Sequence, residues 1–194
     1  MLILVFVFFG SCFPNFAFCQ AEPPVLSGAA RSAQEKIEAI QQNGESASPK
    51  PMTTHLGETE INSYLNSGAV KIPEGVNNVH MIGENGVVVG TAKVNFDQLK
   101  AGRRNSMNPL LAMFSGTHDI RVRAHVSAEN GVGTVDVDTV EIDGVMVPRV
   151  AIELFADRYL SPRYPGIGTH STFSLPDQID NARVGAHAVT VIQR

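Results

Sequence analysis

The sequence predicts an α+β fold: a twisted antiparallel sheet of about six strands, with two or three helices packed on one face. Three observations carry that expectation. From Val70 onward, apolar residues recur with a period of two. Asn85-Gly86, Asn130-Gly131 and Asp143-Gly144 interrupt the alternation with dipeptides suited to tight hairpin turns, because a type I′ turn needs positive φ at both central positions. Between and around these hairpins, short runs switch to helical spacing beside recognisable start and stop residues.

The 194 residues allow one domain with a proper core and little more. They divide into three parts: residues 1–21, 22–54 and 55–194. The first 21 residues carry no charge and hold both cysteines and six of the ten phenylalanines. Leu2 to Phe9 is an unbroken apolar run with the size of a signal-peptide h-region, well short of the ~20 residues a bilayer-spanning helix needs. This predicts an exported protein of the periplasm or cell envelope, cut after Cys19 or Ala21. No Lys or Arg precedes the run, as a start further upstream would explain. The alternative is a lipoprotein anchored through Cys12, since Phe9-Gly10-Ser11-Cys12 is a loose lipobox. Membrane contact is expected only through this segment or that lipid.

In 22–54, Ala33, Ile37 and Ile40 fall at helical spacing, which predicts one amphipathic helix. Asn43 to Thr54, rich in Gly, Ser and Pro without periodicity, reads as a flexible connector, so the domain proper is placed from His55 to Arg194. Its first element has Leu56 at N′, Gly57 at the N-cap, Glu60 at N3 and Ile61 at N4. That arrangement suits a capped and stapled helix with Tyr64 and Leu65 on its apolar stripe and Gly68 beyond its end.

Pivoting the first hairpin on Asn85-Gly86 sets Val79 against Ala92, Met81 against Gly90 and Gly83 against Val88, all on a buried face. Pivoting the second on Asn130-Gly131 sets Val126 against Val135 and Ala124 against Val137 inside. Outside, Arg123 then faces Asp138 and His125 faces Asp136. Between the hairpins, Ser106 to Ser115 predicts a short apolar helix closed by Gly116. After the Asp143-Gly144 turn, Pro148 opens a helix whose Val150, Ala151, Leu154, Phe155 and Tyr159 form a wide stripe. Phe173 to Ile192 alternates again and is expected to return to the sheet as a final strand pair around Gly185.

Composition and motifs exclude several classes of function. Fifteen Lys and Arg against nineteen Asp and Glu, a net charge of −4, argue against a nucleic-acid partner. No G-x-S-x-G, no cysteine beyond residue 21 and no Gly-rich loop leading from a strand into a helix are present. His80 and His125 fall on the outer strand face, His118-Asp119 lacks further metal ligands, and His55, His170 and His187 are expected in loops or turns. Asp136 and Asp138 share one solvated strand face. The sequence therefore predicts no catalytic residue, no metal and no cofactor. What stands out is apolar surface on the helices: Leu110, Leu111, Met113 and Phe114, with Val150, Leu154, Phe155 and Tyr159, are the candidate lining of a groove for an apolar ligand.

Four stretches appear in a familiar order: Gly57-Glu58-Thr59-Glu60-Ile61-Asn62-Ser63-Tyr64-Leu65, Ile72-Pro73-Glu74-Gly75-Val76, Val94-Asn95-Phe96-Asp97 and Ile142-Asp143-Gly144-Val145-Met146-Val147-Pro148. Over roughly Leu56 to Gln193 this layout resembles secreted bacterial proteins of uncharacterised function. More remotely it is similar to the LmeA-type periplasmic phospholipid-binding proteins, whose fold is similar to the tubular lipid-binding (TULIP) superfamily. The resemblance implies a non-enzymatic envelope protein that binds or shields a phospholipid or another apolar ligand, and it implies no catalytic residue. The alternative is an interaction module that docks a partner protein through the same apolar helices.

Overall fold

The computed structural model describes residues 26–100, 113–162, 164 and 166–194. The signal segment with Cys12, and the positions Leu110 and Leu111, lie outside the described residues. The architecture is α+β. In chain order the elements are α1 (Gly28–Glu45), β1 (Met52–Gly57), α2 (Glu58–Leu65), β2 (Val76–Glu84), β3 (Val87–Asn95) and α3 (Phe96–Leu99). They continue with β4 (Thr117–Glu129), β5 (Val132–Ile142), β6 (Val145–Met146), α4 (Arg149–Phe155), β7 (His170–Ser174), β8 (Ile179–Gly185) and β9 (Ala188–Gln193).

Strands β2 to β5 form an antiparallel meander, and the far edge of β5 is shared by β6 at one end and β7 at the other. All three expected turns are in place, with positive φ at Asn85-Gly86, Asn130-Gly131 and Asp143-Gly144. Met81 faces Gly90 and Gly83 faces Val88, but a bulge between Asn77 and His80, with Asn78 left-handed, removes Val79 from its expected place opposite Ala92. In the second hairpin Val126 faces Val135, Ala124 faces Val137 and His125 faces Asp136. A register shift then sets Arg123 opposite Thr139 rather than Asp138. Asp138 sits between the two side chains, 2.9 Å from His125 Nδ1 and 3.7 Å from Arg123 Nε.

The last strand pair does not return to this sheet. β8 and β9 form their hairpin after Gly185 as expected, but β9 pairs on its other side with β1, giving a separate three-stranded sheet in the order β1-β9-β8. The domain boundary shifts with it. Met52, Thr53 and Thr54, expected in a connector, are strand residues facing Gln193, Ile192 and Val191. α1 is equally part of the body: Ala33 and Ile40 share a core with Leu56, Ile179, Ala182 and Val191. A Cβ on Gly44 would lie 2.5 Å from the Asp177 backbone, so glycine there permits a direct backbone approach. Burying Ile40 alone contributes about 2 kcal/mol, which a tethered helix would forgo.

A second tie between α1 and the body is Glu60. Its carboxylate accepts from Ser32 Oγ (2.5 Å), Lys36 Nζ (2.7 and 2.8 Å) and the Gly57 N–H (2.8 Å). Burial pushes this carboxyl upward, but the hydrogen bonds from Lys36, Ser32 and Gly57, with the Lys36 charge, outweigh it and hold the pKa down to about 2. The tie is therefore complete above the ordinary carboxylate range and is lost as pH falls towards about 2.

Helices α2, α3 and α4 cover one face of the larger sheet, bringing Leu65, Phe96, Leu99, Ala151 and Phe155 onto Val79, Ala92, Val94 and Ile142. α2 also closes the edge of that sheet. Asn62 and Asn66, one turn apart, act as peptide mimics for β2. Asn62 donates to Met81 O (2.9 Å) and accepts from Met81 N–H (2.8 Å), and Asn66 does the same with Val79 (2.6 and 3.1 Å). An edge strand otherwise offers such groups to any passing chain. Asn62→Leu leaves the Met81 donor and acceptor without these partners. We expect a loss of about 1–3 kcal/mol in urea unfolding, together with faster amide exchange at Met81.

Candidate apolar binding site

The inner face of the larger sheet is lined by alternate residues of each strand: Val88, Gly90 and Ala92 of β3 lie beside Ala124, Val122 and Ile120 of β4. Two clefts open on this face, at opposite ends of β4. At one end, Val94, Val122, Val137 and Val140 face Phe114, Ile152 and Phe155, enclosing about 120 Å³. An aromatic cluster forms one wall. Phe114 stacks on Phe155 with centroids 4.4 Å apart, and Phe96 meets both edge-on at 5.4 and 5.5 Å. Such pairs add about 0.5–1.5 kcal/mol each beyond area burial.

The eight positions proposed from sequence therefore separate. Phe114 and Phe155 line the helix–sheet cleft, and Tyr159 is buried against Phe155, 5.1 Å between centroids. Val150, Leu154 and Met113 are exposed at 53%, 36% and 37% and line neither of the two clefts. The helix explains the first two. Its inward side follows Ala151, Phe155 and Tyr159 at four-residue steps, continued by the π-helical turn Ala156–Leu160, which leaves Val150 and Leu154 about 100° to the side. Leu110 and Leu111 lie outside the described residues.

At the other end of β4 is a cleft that the sequence reading missed. It lies between the two sheets and encloses about 100 Å³. Met81, Val88 and Val126 come from the larger sheet, Val184, Val189 and Val191 from the smaller, and Ile61 of α2 joins them. Its described lining is aliphatic or aromatic apart from Glu58 and Ser127. Alternation within each strand was visible; that β8 and β9 turn their apolar side towards β4 depends on the separate sheet. An apolar cavity of about 150 Å³ stays dry and holds benzene, so each cleft suits a single chain segment or ring.

Polar chemistry sits at the rims and on the outer face. Glu58 accepts from His187 Nδ1 at 2.8 Å beside the inter-sheet cleft. His55 and His170 lie in strands rather than loops, His55 beside Thr190 and His170 on Asp136. Among the described residues no three His, Cys, Asp or Glu side chains gather as metal ligands would, and no helix is long and apolar enough to cross a membrane.

His118 clasps the segment that carries Phe114. Its Nδ1 lies 2.5 Å from Asp143 and its Nε2 2.7 Å from the Ser115 carbonyl. Both partners accept only, so both ring nitrogens must carry protons. The Asp143 bond, then the Ser115 bond, raise the His118 pKa, while the His118 bond lowers that of Asp143. Asp119 adds to the field on the ring, and Lys93 lies 3.4 Å from Asp119. The clasp is therefore complete below the ordinary imidazole range and is lost as pH rises through the raised value.

No family model, curated protein or solved structure matches the chain.

In an NMR titration we expect the His118 ring to have its midpoint above the ordinary imidazole value of 6.5. Asp143→Asn should move that midpoint back down; an unchanged midpoint would remove Asp143 as the cause.

Proposed function

We propose that this is a non-enzymatic exported protein that binds or shields a single-chain apolar ligand. The observation that carries the reading is the inter-sheet cleft, a preformed apolar space between two sheets, with His125, His170 and His187 each set against a carboxylate outside it. At about 100 and 120 Å³, the clefts favour one acyl-like chain over a two-chain phospholipid, a narrower ligand than the resemblance to LmeA-type proteins implies. Export rests on the charge-free apolar segment at the start of the chain.

A second reading, docking of a partner protein, is favoured by Val145, Met146, Val150 and Leu154, exposed around the start of α4. Native mass spectrometry of protein purified from its own cells, with solvent extraction, separates the two. We expect a co-purifying single-chain molecule. Val189→Phe fills the cleft at an overpacking cost of about 1–3 kcal/mol and should lower ligand recovery while circular dichroism is retained. Ligand-free protein that cross-links in equal amount to one partner would establish the docking reading instead.

A further inference from the structure

We infer that the two clefts are halves of one groove, and that the ligand is a single unbranched apolar chain long enough to lie in both. The inference rests on the apolar-ligand reading above and adds the length of the chain. The strand registers carry it. Across the inner face of the larger sheet, Met81, Gly90, Val122 and Val140 form one row, and Gly83, Val88, Ala124 and Val137 form the next. Met81, Gly83 and Val88 line the inter-sheet cleft, whereas Val122, Val140 and Val137 line the helix–sheet cleft. In each row one residue stands between the two linings: Gly90 in the first and Ala124 in the second.

The divide between the clefts is therefore low as well as narrow. Neither Gly90 nor Ala124 reaches further from the backbone than a methyl group, and Val88 and Val137, the lining residues on either side of Ala124, stand two strand spacings apart, about 10 Å. The backbone beneath is paired in the ladder between β3 and β4, so the crossing meets a ligand with carbon and no unmet polar group. Met81 and Ile61 reach both sides: each lines the inter-sheet cleft and packs against the core that holds Phe96, Phe114 and Phe155. Ala124 is 4% exposed, so the passage is closed in this structure. Met81 stands opposite Gly90, and its unbranched, three-bond side chain is the one suited to turn aside. An alkyl chain fits such a crossing, and each methylene it buries there strengthens binding about fourfold. A cleft of about 100 or 120 Å³ on its own stops gaining at about six carbons, the content of a benzene-sized cavity.

The test is isothermal titration calorimetry of the whole chain with hexanol, octanol, decanol and dodecanol. We expect affinity to rise about fourfold with each added methylene as far as dodecanol, and one dodecanol to bind per chain. Ala124→Leu raises the divide and should hold dodecanol within about fourfold of hexanol, with hexanol affinity and the circular dichroism spectrum retained. The wild-type series reads the groove by itself where that variant fails to fold. A plateau beyond hexanol, two dodecanols per chain, or an undiminished dodecanol affinity in folded Ala124→Leu overturns the joined groove and leaves apolar binding standing. Heat from none of the four alcohols, at either of two temperatures, overturns both.

Discussion

The two sheets are joined through the tips of two Asn-Gly turns, and the inter-sheet cleft depends on that junction. Gly86 N–H donates to the Val184 carbonyl at 2.8 Å, and Gly131 N–H donates to the Asp180 carbonyl at 2.9 Å. The acceptors are four residues apart on β8, so the larger sheet approaches the smaller one turn-first, and His187 N–H adds a further bond to the Gly83 carbonyl at 2.9 Å. Both turns hold their Asn and Gly at positive φ, the conformation a tight hairpin needs. At Gly83 the approach is closest: an added Cβ would lie 3.1 Å from Val184 Cγ1 and 3.2 Å from the Gly185 carbonyl. Contact at the tips holds the sheets together while the valines behind them diverge into a cleft.

This geometry separates polar from apolar chemistry. The same β4 carries Val122, Ala124 and Val126 towards the interior and Arg121, Arg123 and His125 to the outer face, where His125 and Arg123 meet Asp138. Other pairs close the rims: His118 with Asp143 beside the helix–sheet cleft, His187 with Glu58 beside the inter-sheet cleft. Surface pairs of this kind contribute little stability; their value lies in fixing where segments sit. The core is aliphatic, with Phe96, Phe114 and Phe155 gathered into one cluster at the helix end.

Local features were legible in the sequence. The three turns, the Gly57 cap with Glu60 returning to its N–H, and the Pro148 helix start follow from chemistry within four residues. What depended on partners distant in the chain was not. β1 pairs with β9 about 135 residues later, and nothing in Met52 to Thr54 announces a strand beside Pro49 and Pro51. Asn62 and Asn66 read as ordinary polar helix positions until β2 lies alongside. Val150 and Leu154 counted as groove residues because a stripe drawn from hydrophobicity alone is wider than the one that packing selects. Of the candidate clefts, the sequence pointed to Phe114 and Phe155, which line the helix–sheet one, whereas the inter-sheet cleft draws single valines from several strands and has no motif.

On the proposed reading, an apolar chain enters between the sheets. Methyl-labelled protein with decanol tests it by intermolecular nuclear Overhauser effects. Contacts are expected from the decanol chain to the methyls of Val126 on the larger sheet and Val184 and Val191 on the smaller, all of which line the cleft. Contacts confined to Val145, Met146 and Val150, on the outside of the molecule, would contradict it.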